Sequence, residues 1–244
     1  MDMRTSWEEK FRYFQSEARA ILEDVIKSLK EIEFCWQCYD NVEHFGINIY
    51  DHDWVNFYIL AQLEEIKRPK EEDKMKEDFI YRFIALSVVK DRLKEMNISH
   101  FYYYKRQPFE EPYEDSFDFA IQTKDGKIIT LEVVHIPPDY YKSTCKERSI
   151  VKNFIMPERE WKKCDYAIGV KILEIGVKDN SIIGKGAIVG YLSKEEIERI
   201  PIRRKGEYPC IKFDGRPTII SELNQPKKLW DILEERAITL SPKV

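Results

Sequence analysis

FDFAIQTKDGKIITLEVVHI, running from Phe117 to Ile136, decides how the rest of this 244-residue chain is read. Phe117 to Gln122 alternates apolar and polar residues, Asp125 and Gly126 form the dipeptide of a tight turn, and Ile128 to Ile136 returns as a β-branched run. The pattern predicts a two-stranded hairpin, stopped by Pro137 and Pro138, which cannot donate to a ladder. Asp118 stands early in the first strand and Glu132 in the middle of the second, with 13 residues and the turn between them. Side chains alternate across a strand, so Asp118 and Glu132 are expected to share one face while Phe117, Phe119, Leu131 and Val133 fill the other. A carboxylate amid such apolar neighbours is costly to bury alone, and it calls for a metal ion or a partner.

Upstream, Phe11, Phe14, Ala18, Ile21, Val25, Leu29 and Ile32 recur at helical spacing and predict one long amphipathic helix from Trp7 to Ile32. A second helix is expected over Asp51 to Lys67 and a third over about Lys74 to Met96, leading into an aromatic strand from Ser99 to Arg106. Downstream, a helix at about Lys146 to Lys163 precedes the almost wholly apolar Tyr166 to Ile172, a strand of the kind buried on both faces. A strand at Ala187 to Leu192, a short helix from Ser193, a strand around Cys210 to Phe213 and a last helix near Gln225 to Arg236 complete the chain. This order predicts an α/β fold, a mixed central sheet flanked by helices over residues 71–244, behind an N-terminal helical region over residues 1–70.

The third helix brings in another acid. At about 100° per residue, Glu77 falls within about 20° of Ile84 and Val88, so it heads the helix face expected to lie on the sheet and can approach the acid pair. Oxygen ligands of this kind suit Mg²⁺ or Mn²⁺, which a phosphodiester hydrolase uses to polarise phosphate and generate the attacking hydroxide. Each acid also has a plainer reading. Asp118 could be a strand-edge carboxylate facing water, and Glu77 a helix N-terminal carboxylate favoured by the helix dipole.

A helix bearing Glu77, a strand with Asp118, a DG hairpin, Leu131-Glu132-Val133-Val134, a helix and the strand from Asp165 to Val170 together resemble the PD-(D/E)xK superfamily, the restriction-endonuclease-like fold. The stretch Ile188 to Ser193 with its trailing acidic helix is similar to the segment that often trails the core of such nucleases. The resemblance covers roughly Lys74 to Arg236. It implies that Asp118 and Glu132 ligate the metal, that the Val133 carbonyl completes the shell, and that Glu77 is the variable helix acid. The family's lysine, which orients water and stabilises the phosphorane-like charge, belongs two residues after the glutamate, where this chain has Val134. Lys142 and Lys146, just past the double proline, are the nearest in sequence to take its role.

The formal net charge of −4 argues against a protein that coats nucleic acid without preference. The charge is uneven, however. Glu31 to Ile66 carries eight acidic residues and no Lys or Arg, whereas Lys142 to Lys163 carries seven basic residues against three acidic ones, and Arg199 to Lys205 adds four more. A DNA backbone is therefore expected on the later side, with Lys152, Lys162, Arg203 and Arg204 steering it. Lys105 and Arg106 beside the tyrosines at 102 to 104 could hold phosphates while the rings stack on bases, although a strand with aromatics on both faces also reads as core. The acidic N-terminal helices are candidates for a homodimer surface, since one such site cuts one strand.

Five scattered cysteines and no charged, apolar leader point to the cytoplasm. No apolar run approaches the roughly 20 residues needed to cross a bilayer. Cys35 and Cys38, with His44 and His52 downstream, could form a zinc site, but the loose spacing also fits buried thiols. Two functions from different classes are consistent with these signals. One is a Mg²⁺-dependent DNA endonuclease, restriction-like or junction-resolving. The other is the same fold without catalysis, serving as a nucleic-acid-binding or protein-assembly module.

Overall fold

Apolar periodicity and turn chemistry are realised, in a computed structural model of the chain, as a mixed sheet between two unequal apolar layers. The structure describes residues 3–28, 43–48, 52–66, 76–103, 117–136, 154–157, 164–179, 181–204, 215–218 and 222–240. In chain order the elements are α1 (Met3–Ser28), β1 (Glu43–Asn48), α2 (His52–Ile66), α3 (Lys76–Glu95), β2 (His100–Tyr102), β3 (Phe119–Gln122) and β4 (Ile128–Ile136). They continue as β5 (Phe154–Pro157), β6 (Tyr166–Lys178), β7 (Ser181–Ser193), α4 (Lys194–Arg199), β8 (Gly215–Thr218) and α5 (Pro226–Arg236). Six strands form one sheet in the order β1-β7-β6-β4-β3-β2, and β5 and β8 pair separately. Only β4 and β6 run parallel in the large sheet; its other neighbours are antiparallel.

The hairpin of β3 and β4 forms where the alternation and the DG dipeptide put it, in a register running from Phe119 opposite Leu131 to Gln122 opposite Ile128. The turn closes through the Lys127 carbonyl, which accepts from the Thr123 N–H at 2.8 Å, and Gly126 takes the left-handed φ of 81° that glycine adopts without strain. Lys124 at the tip donates to the Glu235 carbonyl at 2.7 Å, satisfying an end carbonyl of α5 and docking the turn against that helix.

Helix α3 is apolar almost all round, with Ile80, Phe83, Ile84, Leu86, Val88, Val89 and Leu93 buried, because it lies between the sheet and the N-terminal helices. Helix α1 turns Phe14, Ala18, Ile21, Leu22 and Val25 into the same core, and the Trp54 indole N–H of α2 donates to the Ala18 carbonyl at 2.9 Å. Helices α1 and α2 are thus built into the same core as α3, and β1, from within the N-terminal region expected to be helical, lies at an edge of the sheet. The opposite face carries a smaller cluster of Ile136, Met156, Cys164, Ala167, Leu192 and Ile197.

Two other expectations need correction. Within the helix expected over Lys146 to Lys163, Phe154–Pro157 instead form strand β5, where Phe154, Ile155 and Met156 favour a strand and Pro157 breaks a helix, and the rest of that stretch lies outside the described residues. The strands expected at Tyr166 to Ile172 and Ala187 to Leu192 extend into one long hairpin, turned at Asp179 with a φ of 51°. The strand expected around Cys210 to Phe213 lies outside the described residues. Among those residues, no helix is long and apolar enough to cross a membrane.

Candidate functional site

Asp118 enters β3 in a bend, and its backbone spans two neighbours: its N–H donates to the Leu131 carbonyl and its carbonyl accepts from the Tyr103 N–H, both at 3.0 Å. Leu131 is also the register partner of Phe119. Two successive residues thus address one partner, the count of a β-bulge, which re-aims a side chain. The Asp118 carboxylate is re-aimed along the ladder, and its Oδ2 accepts the Val133 N–H at 2.7 Å. A strand N–H lies in the sheet plane, so the carboxylate sits at the ladder's edge instead of over one face as simple alternation predicts. Asp118 is 1% exposed, which excludes a carboxylate facing water.

Glu132 lies between the two β4 residues that Asp118 holds. Leu131 and Val133 belong to the core cluster containing α3, whereas Val134 and Ile136 pack in the smaller cluster, so alternation turns Glu132 to the latter side. It is 5% exposed and aligned with Ala167 of β6. Val134, at the position where a lysine was expected, is aligned with Gly169, so neither strand offers a cation there. A cation does arrive from the helix layer: Arg82 of α3 places Nη2 3.6 Å from Asp118 Oδ1, with its side chain 20% exposed. Sequence reasoning missed Arg82, because a charged residue within an apolar helix gives no signal of the strand end it will meet.

Further along the Glu132 face, Lys171 is aligned with Ile136, and Lys185 is buried with Nζ 3.3 Å from Glu174 Oε2. On the α3 side, buried Lys90 pairs with Asp53 at 2.9 Å and lies over the Tyr102 ring at 5.7 Å. Tyr102 and Tyr103 are core residues, 4% and 2% exposed, so neither presents its ring to a base.

The remaining expected site residues are not gathered around the acid pair by anything described. Glu77 falls in the first turn of α3, but its side chain lies outside the described residues, as do Lys105, Arg106, Lys142, Lys146, Lys152 and Lys162 entirely. Arg203 makes a backbone bridge with Gly215 through bonds of 2.8 and 3.0 Å, and Arg204 beside it is exposed. Cys35 and Cys38 also lie outside the described residues, as do the side chains of His44 and His52. Among the described residues, no group of three or more His, Cys, Asp or Glu side chains comes together as a metal site. Comparison with known proteins finds no match: no family model fits the chain, and no curated protein or solved structure aligns with it.

Proposed function

We propose that the chain is a divalent-metal-dependent DNA endonuclease, with Asp118 and Glu132 as its acid pair. The observation that carries this reading is the 2.7 Å bond from the Val133 N–H to Asp118 Oδ2, which brings one buried carboxylate beside the residue next to another. Two carboxylates and the Val133 carbonyl are hard oxygen donors. They fit Mg²⁺ or Mn²⁺, which also retains water ligands and so does not require a third acid. When bound, such a cation supplies Lewis acidity to phosphate and lowers the pKa of water.

The chain's own residues do the positioning. The bulge holds Asp118 against β4, and the parallel neighbour β6 backs the strand that carries Glu132. The exposed Arg204, next to Arg203, is a place for the DNA backbone to be steered by charge. The test is incubation of the full chain with plasmid or branched DNA and Mg²⁺ or Mn²⁺. Cleavage is expected, and it should vanish in Asp118→Asn and Glu132→Gln; cleavage that persists in either variant rejects the assignment.

A specific observation favours a second reading, a noncatalytic nuclease-like fold acting in nucleic-acid binding or assembly. Val134 stands where a lysine would serve, and both Asp118 oxygens already have protein neighbours, Arg82 and the Val133 N–H. That reading predicts no Mn²⁺ binding by calorimetry, whereas the nuclease reading predicts one site abolished by Asp118→Asn.

A further inference from the structure

We infer that α1 carries a self-complementary stripe through which two copies of this chain pair as antiparallel helices. The stripe consists of Arg12, Gln15, Ser16, Arg19, Ala20 and Glu23, which line one depression of about 320 Å³. At about 100° per residue, Arg12, Ser16, Arg19 and Glu23 fall within about 60° of one another. They lie across the helix from Phe14, Ala18, Ile21, Leu22 and Val25, the side chains that α1 buries in the core. All six stripe residues are exposed except Gln15, which is half-buried, so the stripe is surface and not a second core face. The inference does not depend on the nuclease reading, because α1 lies outside the stretch that resembles a nuclease.

The order of the six side chains identifies the partner. In a twofold antiparallel pair, one helix meets the other in reverse and every contact occurs twice. With the axis passing between Glu17 and Ala18, Arg12 stands opposite the partner's Glu23, Ser16 opposite the partner's Arg19, and Gln15 opposite the partner's Ala20. Opposite charges meet at both ends, and in the middle each long side chain meets a short one, which is what packing ridges into grooves requires. A parallel pair in register would set Arg12 against the partner's Arg12 and Glu23 against the partner's Glu23, so charge selects the antiparallel sense.

The charges are available for such a pair. Among the described residues, Arg12, Arg19 and Glu23 form no ion pair, although Arg19 and Glu23 stand one turn apart, at the spacing of an intrahelical pair. Lys27 and Asp24 on the same helix do pair, at 3.9 Å. A nucleic-acid backbone is a poorer occupant, because Glu23 would face its phosphates. The stripe runs for about 16 Å along the helix. That is short of a standard interface, so the dimer is a reversible one.

The test is sedimentation equilibrium of the full chain over a range of concentrations, as wild type, Arg12→Glu, Glu23→Arg and the double variant carrying both. Wild type should show a reversible equilibrium between monomer and dimer. Each single variant sets like charges opposite each other at both ends of the pair. It should raise the dimer Kd by about tenfold, since exposed ion pairs are individually weak and the axis counts each twice. The double variant exchanges the signs and restores the match, so its Kd should return to within about threefold of wild type. Ala20→Trp, which fills the seat of the partner's Gln15, should abolish pairing without moving the thermal melt, and it decides the question should a charge variant fail to fold. A wild type that stays monomeric at every concentration overturns the inference. A dimer whose Kd neither single variant moves also overturns it, because the interface then lies elsewhere. So does a loss that the double variant fails to repair, because Arg12 and the partner's Glu23 then do not face each other. Weakened DNA binding by a monomeric Arg12→Glu chain would assign the stripe to nucleic acid and overturn it as well.

Discussion

Asp118 accepts the amide hydrogen of Val133 at 2.7 Å and so stands in for a backbone carbonyl where β3 meets β4. Removing that acceptor leaves a buried N–H without its bond, and an unsatisfied buried donor costs about 1–3 kcal/mol. Asp118→Ala should therefore lower the unfolding free energy by that amount, seen as a lower urea midpoint at unchanged slope. Asp118→Asn, which keeps an oxygen acceptor, should lose less. If the two variants unfold alike, the hydrogen bond is not what Asp118 contributes.

Gly190 has no room for a side chain. A Cβ there would meet Leu223 Cβ and come within 2.7 Å of the Asn224 carbonyl, a backbone atom that cannot swing aside. The same segment is tied to β7 by paired Tyr191 and Asn224 backbone bonds of 2.9 and 3.2 Å. Gly190→Ala is expected to destabilise the fold by about 1–3 kcal/mol, the usual scale of overpacking. In Gly186→Ala the added Cβ would meet Val88 Cγ2 at 2.9 Å, a side-chain atom that can yield, so its loss in thermal melts should be smaller.

The hairpin turn should respond to acid. Hydrogen bonding from Thr123 and then from Lys127 holds the Asp125 carboxyl down to about 2, below its ordinary 3.8. A lowered pKa means that the carboxylate's contribution is present above the ordinary value and is lost as pH falls from 3.8 towards 2. Carboxyl chemical shifts tracked through a pH titration should give Asp125 a midpoint near 2. In Thr123→Val the midpoint should rise towards 3.8, and one that stays near 2 would show that Thr123 is not the cause.

Helix α4 should depend on its first residues. The Ser193 hydroxyl accepts from the Glu196 N–H, and the Glu196 carboxylate accepts from the Ser193 N–H at 2.8 Å, a reciprocal capping box. Ser193→Ala should cost about 1 kcal/mol. Burial by itself pushes the Glu196 carboxyl up, but bonds from the Asn224 amide and Ser193 hold it net below its usual 4.5. Its contribution is therefore present above 4.5 and fades below it. Asn224→Ala should raise the Glu196 midpoint, measured by the same carboxyl titration.

Much of this architecture can be read from periodicity. The bounds of β4, Ile128–Ile136, coincide with the β-branched run, and α2, α3 and α5 begin and end within about two residues of the apolar stripes and caps that predict them. Periodicity alone cuts the strands of the long β6–β7 hairpin short, because Lys171, Glu174 and Lys185 interrupt the apolar pattern. The structure accommodates part of that charge by pairing Lys185 with Glu174. Strand β1, with His44, Phe45, Gly46 and Ile47, has no clean alternation, and its place is set by its partner β7. That Asp118 and Glu132 are carried by adjoining strands is legible because one hairpin holds both. The bulge at Asp118 and the approach of Arg82 are not, since each depends on tertiary neighbours that local sequence does not encode.

The lone parallel seam between β4 and β6 also bears on how the chain assembles. Both flanking hairpins close over a few residues and can form locally, within about 1–10 µs. Aligning Glu132 with Ala167, by contrast, must wait for the whole intervening segment to come round, so its loop-closure entropy is met before any seam bond rewards it. Refolding monitored by pulsed hydrogen exchange should protect the amides of Ile121 and Ile129 before those of β4 that face β6. Simultaneous protection would mean that the seam nucleates the sheet instead of completing it.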